Sequence, residues 1–177
     1  DGSFPNANLV QGTDGNFYGT TAFGGDRSIS VNGYGTVFSI APTGALTTLH
    51  SFSWGDGAIP GTGLVQGTDG RFYGTTSLGG ANGHGTFFRM EPDGMLTTLR
   101  SFAVDAELPN DGLVKGADGS FYGTTTDRVF KITPTGTLTT IVFGLGPPGG
   151  NQSEGGIALG NDGDLYGTTS RGGDNFA

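Results

Sequence analysis

The feature that most constrains the fold of this chain is a five-residue sequence that occurs four times. It reads Phe-Tyr-Gly-Thr-Thr in three copies and Leu-Tyr-Gly-Thr-Thr in the fourth. The copies contain Tyr18, Tyr73, Tyr122 and Tyr166, so successive repeats are 44 to 55 residues apart. Self-similarity at such a period is typical of propellers and solenoids, in which each repeat is one supersecondary unit.

Each full repeat contains four stretches with the composition of short β-strands, here called a, b, c and d. In the first repeat they lie near residues 9–12, 16–21, 36–40 and 46–52. Asp-Gly between a and b, and Pro-x-Gly between c and d, predict two hairpins per repeat. We expect the Asp-Gly turns to be of type I′, with both central residues at positive φ. The pattern predicts an all-β protein of four-stranded antiparallel β-propeller blades, with a β-solenoid as the competing architecture.

The repeats predict a single domain, 1–177, with about three and a half blades. Repeat 1 covers residues 1–55, repeat 2 covers 56–104, repeat 3 covers 105–148, and a partial repeat 4 covers 149–177. Propellers close with about four to eight blades, so this number does not form an ordinary ring. We expect the chain to belong to a longer protein, to be completed by neighbouring chains, or to adopt a tighter or open arrangement.

Composition argues against several classes of partner and site. The 37 glycines among 177 residues are compatible with a folded protein only because the chain has a regular period. A net charge of −8 argues against a nucleic-acid partner and against an anionic membrane surface. The chain has no Cys, which excludes disulfides and thiolate ligands for zinc. No apolar stretch reaches the roughly 20 residues of a transmembrane segment.

No arrangement of residues predicts a catalytic or metal site. The two histidines, His50 and His84, lack a nearby serine elbow or carboxylate pair, and we interpret both as surface residues. One Asp beside a Gly in each a–b turn is explained by the hairpin itself, although Asp162 and Asp164 leave a calcium site more open in the fourth copy. Loop carboxylates are numerous, but no spacing singles out a glycosidase pair. The sequence therefore predicts no catalytic residue, metal or cofactor.

Propeller topology separates two faces of the repeat. The a–b and c–d turns, which are short and uniform, share one face, while the b–c and d–a loops share the other face and vary in length. Binding residues concentrate on variable loops held by a rigid scaffold. On this second face, called the loop face, the candidate ligand- or partner-binding residues are Trp54, Tyr34, Phe23, His84 and Glu107. Trp54 is the first choice as an anchor for a sugar or a partner, and an apolar lid over the adjoining blades is the alternative.

The second repeat also resembles a known repeat family. The resemblance rests on LVQGTDGRFYGTT, which begins at Leu64, and on the motifs that follow it: Gly79-Gly80, Gly85-Thr86 and the Leu-Thr-Thr-Leu from Leu96. These features are similar to the GloVer repeat, and the similarity extends over essentially the whole chain. The third copy departs from it by lacking the Gly-Gly…Gly-Thr segment. The resemblance implies a secreted or surface-anchored bacterial protein with propeller-like domains, and it transfers no catalytic motif.

Together these features favour a non-enzymatic extracellular or cell-surface module for binding or self-assembly. Its partners would be further copies of itself in an oligomer or filament, other surface proteins, or glycans. The alternative is a carbohydrate-active enzyme, either a polysaccharide lyase or a hydrolase, or a lectin-like glycan binder that uses the loop face. If the 177 residues are the whole chain, strand b of repeat 4 is an open sheet edge. We expect another chain to cover this edge, formed by Tyr166, Thr168 and Thr169, through β-augmentation.

Overall fold

The structure is a computed structural model. It describes residues 1–28, 30–103, 109, 111–125, 128–143 and 156–168. The described residues form sixteen β-strands, and no helix is found among them. Consequently, none of the described segments is a helix of the length and hydropathy needed to cross a membrane.

Three four-stranded antiparallel sheets follow one another along the chain, one for each full repeat, and a two-stranded sheet begins the fourth. Blade 1 contains β2 (Val10–Gln11), β3 (Phe17–Thr21), β5 (Thr36–Ile40) and β6 (Leu46–Ser51). Blade 2 contains β7 (Val65–Gln66), β8 (Phe72–Thr76), β9 (Thr86–Met90) and β10 (Leu96–Ser101). Blade 3 contains β11 (Val114–Lys115), β12 (Phe121–Thr124), β13 (Arg128–Ile132) and β14 (Leu138–Phe143). The fourth repeat contributes β15 (Ala158–Leu159) and β16 (Leu165–Tyr166).

In the first two repeats, the segment that precedes strand a pairs with the b–c loop of the same blade. In blade 1, β1 (Gly2–Ser3) pairs antiparallel with β4 (Phe23–Gly24). In blade 2, Ala58 forms the corresponding antiparallel bridge with Leu78. In both blades, the stretch that precedes strand a therefore crosses the loop between strands b and c. This crossing fixes the relative position of the two variable loops.

The a–b hairpins use a different turn from the one expected. In blade 1, the Gly15 N–H donates to the Gly12 carbonyl at 3.0 Å, and the Gly12 N–H donates to the Asn16 carbonyl at 2.8 Å. Only Gly15 is left-handed, with φ +86°, because Asp14 keeps a negative φ. This is a three-residue hairpin loop that ends in one left-handed glycine, so the type I′ prediction is wrong. The Asp14 carboxylate instead stabilises the turn by accepting the Asn16 N–H at 3.1 Å.

The hydrophobic core lies between neighbouring blades. At the boundary of blades 1 and 2, the rings of Tyr18 and Phe72 pack with centroids 4.0 Å apart. Between blades 2 and 3, Tyr73 and Phe121 repeat this contact at 4.4 Å. All four rings are buried and belong to the two core clusters of the structure. The tyrosines of the first two repeats are thus explained by their packing against the next blade.

The buried tyrosines also close their own hairpins. The Tyr18 hydroxyl donates to Asp14 Oδ2 at 2.7 Å, and the Tyr73 hydroxyl donates to Asp69 Oδ2 at 2.8 Å. Burial, reinforced by these hydrogen bonds to carboxylates, raises the pKa of Tyr18 and of Tyr73 to about 12. The turn aspartates therefore have partners inside the hairpin that carries them.

The raised pKa values predict an alkaline limit to stability. Tyr18 and Tyr73 are expected to ionise near pH 12, and not near their ordinary value of 10.0. The pKa of each tyrosine is higher in the folded state than in the unfolded state. The contribution of the two tyrosines to the free energy of unfolding is therefore complete below pH 10 and is lost as the pH rises towards 12. Tyrosinate absorbance, recorded together with circular dichroism, measures both processes. Tyr73→Phe should remove one of the delayed ionisations, and complete ionisation near pH 10 in the folded protein would contradict the prediction.

Candidate functional site

The loop face is built from a linking segment and the two b–c loops on either side of it. Trp54 and Ile59 lie in the segment that joins blades 1 and 2. The Ile59 N–H donates to the carbonyl of Tyr34, in the b–c loop of blade 1, at 3.0 Å. The Trp54 carbonyl accepts the N–H of Gly80, in the b–c loop of blade 2, at 2.8 Å. Backbone hydrogen bonds thus hold the segment from both sides.

Tyr34 and Trp54, two of the residues predicted to bind, are in contact. Their rings meet edge to face, with centroids 5.8 Å apart and an interplanar angle of 61°. Tyr34 is half-buried and packs against the core between blades 1 and 2, whereas Trp54 keeps 46% of its surface exposed. A β-carbon added at Gly83 would lie 3.9 Å from Trp54 Cζ2, so the b–c loop of blade 2 also approaches the indole. The indole is therefore supported from two directions and partly open to solvent.

Phe23 forms a separate aromatic pair with Phe4, a residue that the sequence analysis missed. The two rings are T-shaped, with centroids 5.7 Å apart and an interplanar angle of 82°. Phe4 is 63% exposed. The pair borders an open cleft of about 480 Å³, which is lined by Ser3, Phe4, Phe23, Arg27, Val31 and Asn32. One sequence feature could have drawn attention to Phe4. Asp1-Gly2 matches Asp56-Gly57, and this match aligns Phe4 with Ile59.

Phe4 and Ile59 share an unusual backbone conformation. Both are left-handed, with φ values of +60° and +57°, and both precede a proline. Such a conformation costs about 1–3 kcal/mol for a residue with a side chain, so the surroundings must hold it. The Phe4 carbonyl accepts the Ala22 N–H at 3.0 Å, and the Ile59 carbonyl accepts the Ser77 N–H at 3.2 Å. The strain therefore recurs at equivalent positions of the loop face.

His84 lies in the same b–c loop that approaches Trp54 through Gly80 and Gly83. It is half-buried in the b–c loop of blade 2, directly after Gly83, and its backbone bridges to Gly79. Glu107, the fifth predicted binding residue, falls outside the described residues. Three of the five candidates, Tyr34, Trp54 and His84, therefore belong to one blade boundary, while Phe23 belongs to the cleft of blade 1.

The described residues include only part of the predicted assembly edge. Tyr166 is 55% exposed, and its hydroxyl donates to Asp162 Oδ2 at 2.6 Å. Thr168 is exposed, and Thr169 lies outside the described residues. Within the described part of the chain, β16 pairs with β15 alone. Coverage of this edge by another chain stays a prediction.

His50 has a structural partner. Its Nε2 lies 2.9 Å from Asp56 Oδ2, while Asp56 Oδ1 accepts the N–H and the hydroxyl of Ser53 at 2.8 and 3.1 Å. Although burial opposes it, hydrogen bonds from His50 and Ser53 hold the pKa of Asp56 below its ordinary value. The carboxylate lies between the imidazole and the hydroxyl, so His50 does not contact the hydroxyl as the base of a serine nucleophile would, and the lowered pKa of Asp56 makes its carboxylate a weak base. This cluster therefore anchors the linking segment and is not arranged to activate Ser53.

A second cavity, of about 440 Å³, lies where the segments that precede strand a converge. Residues from all four repeats line it, including Asn6, Asn8, Thr62 and Asp111. Asp111 Oδ2 accepts the Thr124 hydroxyl at 3.0 Å. Among the residues that the structure describes, no three His, Asp or Glu side chains are grouped as a metal site would require. We call this space the inner cavity.

The fold is similar to several solved structures. Virginiamycin B lyase from Staphylococcus aureus is 18% identical, with a TM-score of 0.61 over 93% of this chain and 48% of that one. A gluconolactonase from Xanthomonas campestris is 16% identical, with a TM-score of 0.58 over 90% of this chain and 52% of that one. The extracellular domain of a one-component system from B. thetaiotaomicron is 15% identical, with a TM-score of 0.65 over 96% of this chain and 20% of that one.

These similarities confirm the predicted β-propeller type of fold. The chain spans about half the length of the lyase and of the gluconolactonase. A comparison with curated proteins finds no match. The sequence signature of the Gloeobacter/Verrucomicrobia repeat matches residues 1–129, which is well over half of the chain. This match confirms the resemblance carried by the repeated motifs, and the chain belongs to the Gloeobacter/Verrucomicrobia repeat family.

Proposed function

We propose that this chain is part of an extracellular bacterial β-propeller module that binds a neutral carbohydrate on its loop face without catalysing a reaction. The observation that carries the proposal is the contact between Tyr34 and Trp54. A half-exposed indole, held by an aromatic neighbour and by backbone hydrogen bonds, offers an apolar surface to the C–H groups of a sugar ring. The rigid backbone around it limits the entropy that binding would cost.

The charge of the chain supports a neutral ligand. The net charge is −8, which disfavours association with a polyanionic polysaccharide. Among the described residues, Arg27 is the one basic residue that lines the cleft of blade 1, and Asp26 directly precedes it. A carbohydrate bound by stacking and neutral hydrogen bonds therefore fits this surface better than an acidic one.

An extracellular location is supported by family and by fold. The resemblance to GloVer repeats implies secreted or surface-anchored bacterial proteins. One of the similar folds is itself an extracellular domain of a bacterial sensor system. A carbohydrate-binding role suits a module exposed at that location.

A second candidate function is catalysis on a small polar molecule at the inner cavity. Two of the similar folds are a lyase and a gluconolactonase. The observation that favours this candidate is the position of Asp111 in the wall of the inner cavity, where its carboxylate is oriented by Thr124. Carbohydrate binding remains our first proposal, because the structure describes both rings of the Tyr34–Trp54 pair and the contact between them.

Titration calorimetry with laminarin, xylan and glucomannan tests the proposal. We expect at least one of these neutral polysaccharides to bind, and Trp54→Ala to weaken that binding about tenfold or more, as truncation of a central aromatic contact does. Met95→Ala is the matched control, since Met95 is 64% exposed beside the c–d turn of blade 2, on the opposite face. The Met95→Ala variant should bind the polysaccharide with the same affinity as the unmodified protein.

Two results would count against binding at the loop face. Equal affinities for Trp54→Ala and Met95→Ala would remove Trp54 from the site. Release of products from a polysaccharide, or turnover of a lactone, that Asp111→Asn abolishes and Trp54→Ala leaves unchanged would favour the second candidate.

A further inference from the structure

Building on the proposed function, we infer that Asp56 is a positioning residue of the carbohydrate site. Its carboxylate closes the short loop that presents Trp54 and thereby holds the indole in the orientation on which a sugar ring stacks. The role of Asp56 is indirect, because it acts on the carbohydrate only through the indole. Removal of the carboxylate therefore weakens binding even where the fold is retained.

The loop that carries Trp54 is closed at its two ends by hydrogen bonds between Ser53 and Asp56. Asp56 Oδ1 accepts the N–H and the hydroxyl of Ser53 at 2.8 and 3.1 Å. The N–H groups of Asp56 and Gly57 donate to the Ser53 carbonyl at 3.2 and 3.1 Å. Only Trp54 and Gly55 lie between the two ends. Because the space around Gly55 is open, the closure itself limits the conformations of this loop.

Asp56 also connects the loop to both neighbouring blades. Its Oδ2 lies 2.9 Å from Nε2 of His50, in β6 of blade 1. Its carbonyl accepts the hydroxyls of Thr86 and Thr98, in β9 and β10 of blade 2, at 3.0 and 3.4 Å. This one residue therefore sets the position of the loop relative to the two sheets at whose boundary Trp54 is exposed.

The polar cluster around Asp56 is not a requirement of the repeat. In the second repeat, Arg100 and Ala103 occupy the positions of His50 and Ser53, so the imidazole and the hydroxyl are both replaced. Trp54 is the single tryptophan of the chain. The cluster and the indole thus occur together at the boundary of blades 1 and 2, as expected if the cluster serves the indole.

A held indole binds more tightly than a mobile one. When only a fraction of the molecules has the binding conformation, the apparent affinity falls by that fraction. If opening of the loop in Asp56→Ala leaves about 10–20% of the molecules with the indole in place, affinity falls about five- to tenfold. The intrinsic contact between the indole and the sugar is unchanged in such a variant.

Fluorescence reports on the loop directly, because Trp54 is the only source of indole emission. Anisotropy and quenching by acrylamide are measured without ligand, and affinity is then measured with laminarin, xylan and glucomannan. Asp56→Ala should lower the anisotropy, increase the quenching and weaken the affinity about five- to tenfold. Asp56→Asn should restore most of these properties, since an amide oxygen still accepts the N–H and the hydroxyl of Ser53.

Asp69→Ala is the matched control. Asp69 closes the a–b hairpin of blade 2 in the same manner, on the face opposite the loop face, by accepting the Arg71 N–H at 3.2 Å and the Tyr73 hydroxyl at 2.8 Å. Both alanine variants should lose stability in thermal unfolding. At temperatures well below both transitions, only Asp56→Ala should change the emission of Trp54 and the affinity.

The outcomes separate this inference from the proposed function. Unchanged quenching or unchanged affinity in Asp56→Ala overturns the inference, while weaker binding by Trp54→Ala still supports the proposed function. Equal changes in Asp56→Ala and Asp69→Ala also overturn it, because the effect would then be a general loss of stability. If Asp56→Ala does not fold, His50→Leu, which removes one hydrogen bond of the carboxylate, should show the same changes to a smaller degree, and unchanged quenching there overturns the inference. If none of the polysaccharides binds, the proposed function fails and the inference fails with it.

Discussion

Phe72→Ala is expected to lower the free energy of unfolding by about 3–5 kcal/mol, the range for truncating a buried aromatic side chain. Phe72 is fully buried, and its ring packs 4.0 Å from that of Tyr18 across the boundary of blades 1 and 2. Alanine would leave a cavity between the two sheets, which lose the ring contact that joins them. Urea denaturation, followed by circular dichroism, measures the loss.

The matched control is Phe4→Ala, which makes the same chemical change at a ring that is 63% exposed. Its cost should remain within about 1 kcal/mol, as is usual for surface substitutions. A loss for Phe72→Ala no larger than that for Phe4→Ala would show that the blade boundary does not hold the core.

Gly85→Val is expected to destabilise the protein by about 3 kcal/mol or more, because it combines left-handed strain with overpacking. Gly85 has φ +91°, and an added β-carbon would collide with the carbonyl oxygen of Thr76. Its own carbonyl accepts the Phe102 N–H at 2.9 Å, so the residue is held between strands b and d of blade 2. Gly35 has the same role in blade 1, with φ +99°.

Gly55→Val is the control for this change. Gly55 is not left-handed, and the nearest atom to an added β-carbon is Ser53 Oγ at 4.0 Å. The cost there should stay near 1 kcal/mol or less, as for other surface substitutions. Thermal unfolding of both variants provides the comparison, and equal melting temperatures would exclude the collision at Gly85.

The blades were predictable because their signals are local. Pro42 and Gly44 predict the c–d turn of blade 1, and the structure shows the expected turn, with Gly44 at φ +88° and its N–H donating to the Ala41 carbonyl at 2.8 Å. The a–b hairpins were correctly located, but their turn type was not. Asp-Gly is compatible with more than one hairpin loop, and the Asp14 carboxylate favours the longer one by accepting the Asn16 N–H.

The loop face was predictable only in outline. Topology placed Tyr34 and Trp54 on one face, and the structure brings them into contact. The pairing of β1 with β4 depends on two-residue strands some twenty residues apart, which have no pattern that a sequence reveals. Phe4 was missed for the same reason, and because a left-handed phenylalanine is not expected from local preferences.

The hydrogen bond from Tyr18 to Asp14 spans only four residues, and Tyr73 repeats it with Asp69. Each inner hairpin can therefore satisfy its polar groups before any neighbouring blade has formed. Blades joined mainly through ring contacts at their boundaries behave as a one-dimensional array, in which stability is a sum of unit and nearest-neighbour terms. Such an array folds through short-range contacts. In the 177-residue chain, blade 2 is flanked by two complete blades, so its amide hydrogens should exchange more slowly than those of blades 1 and 3.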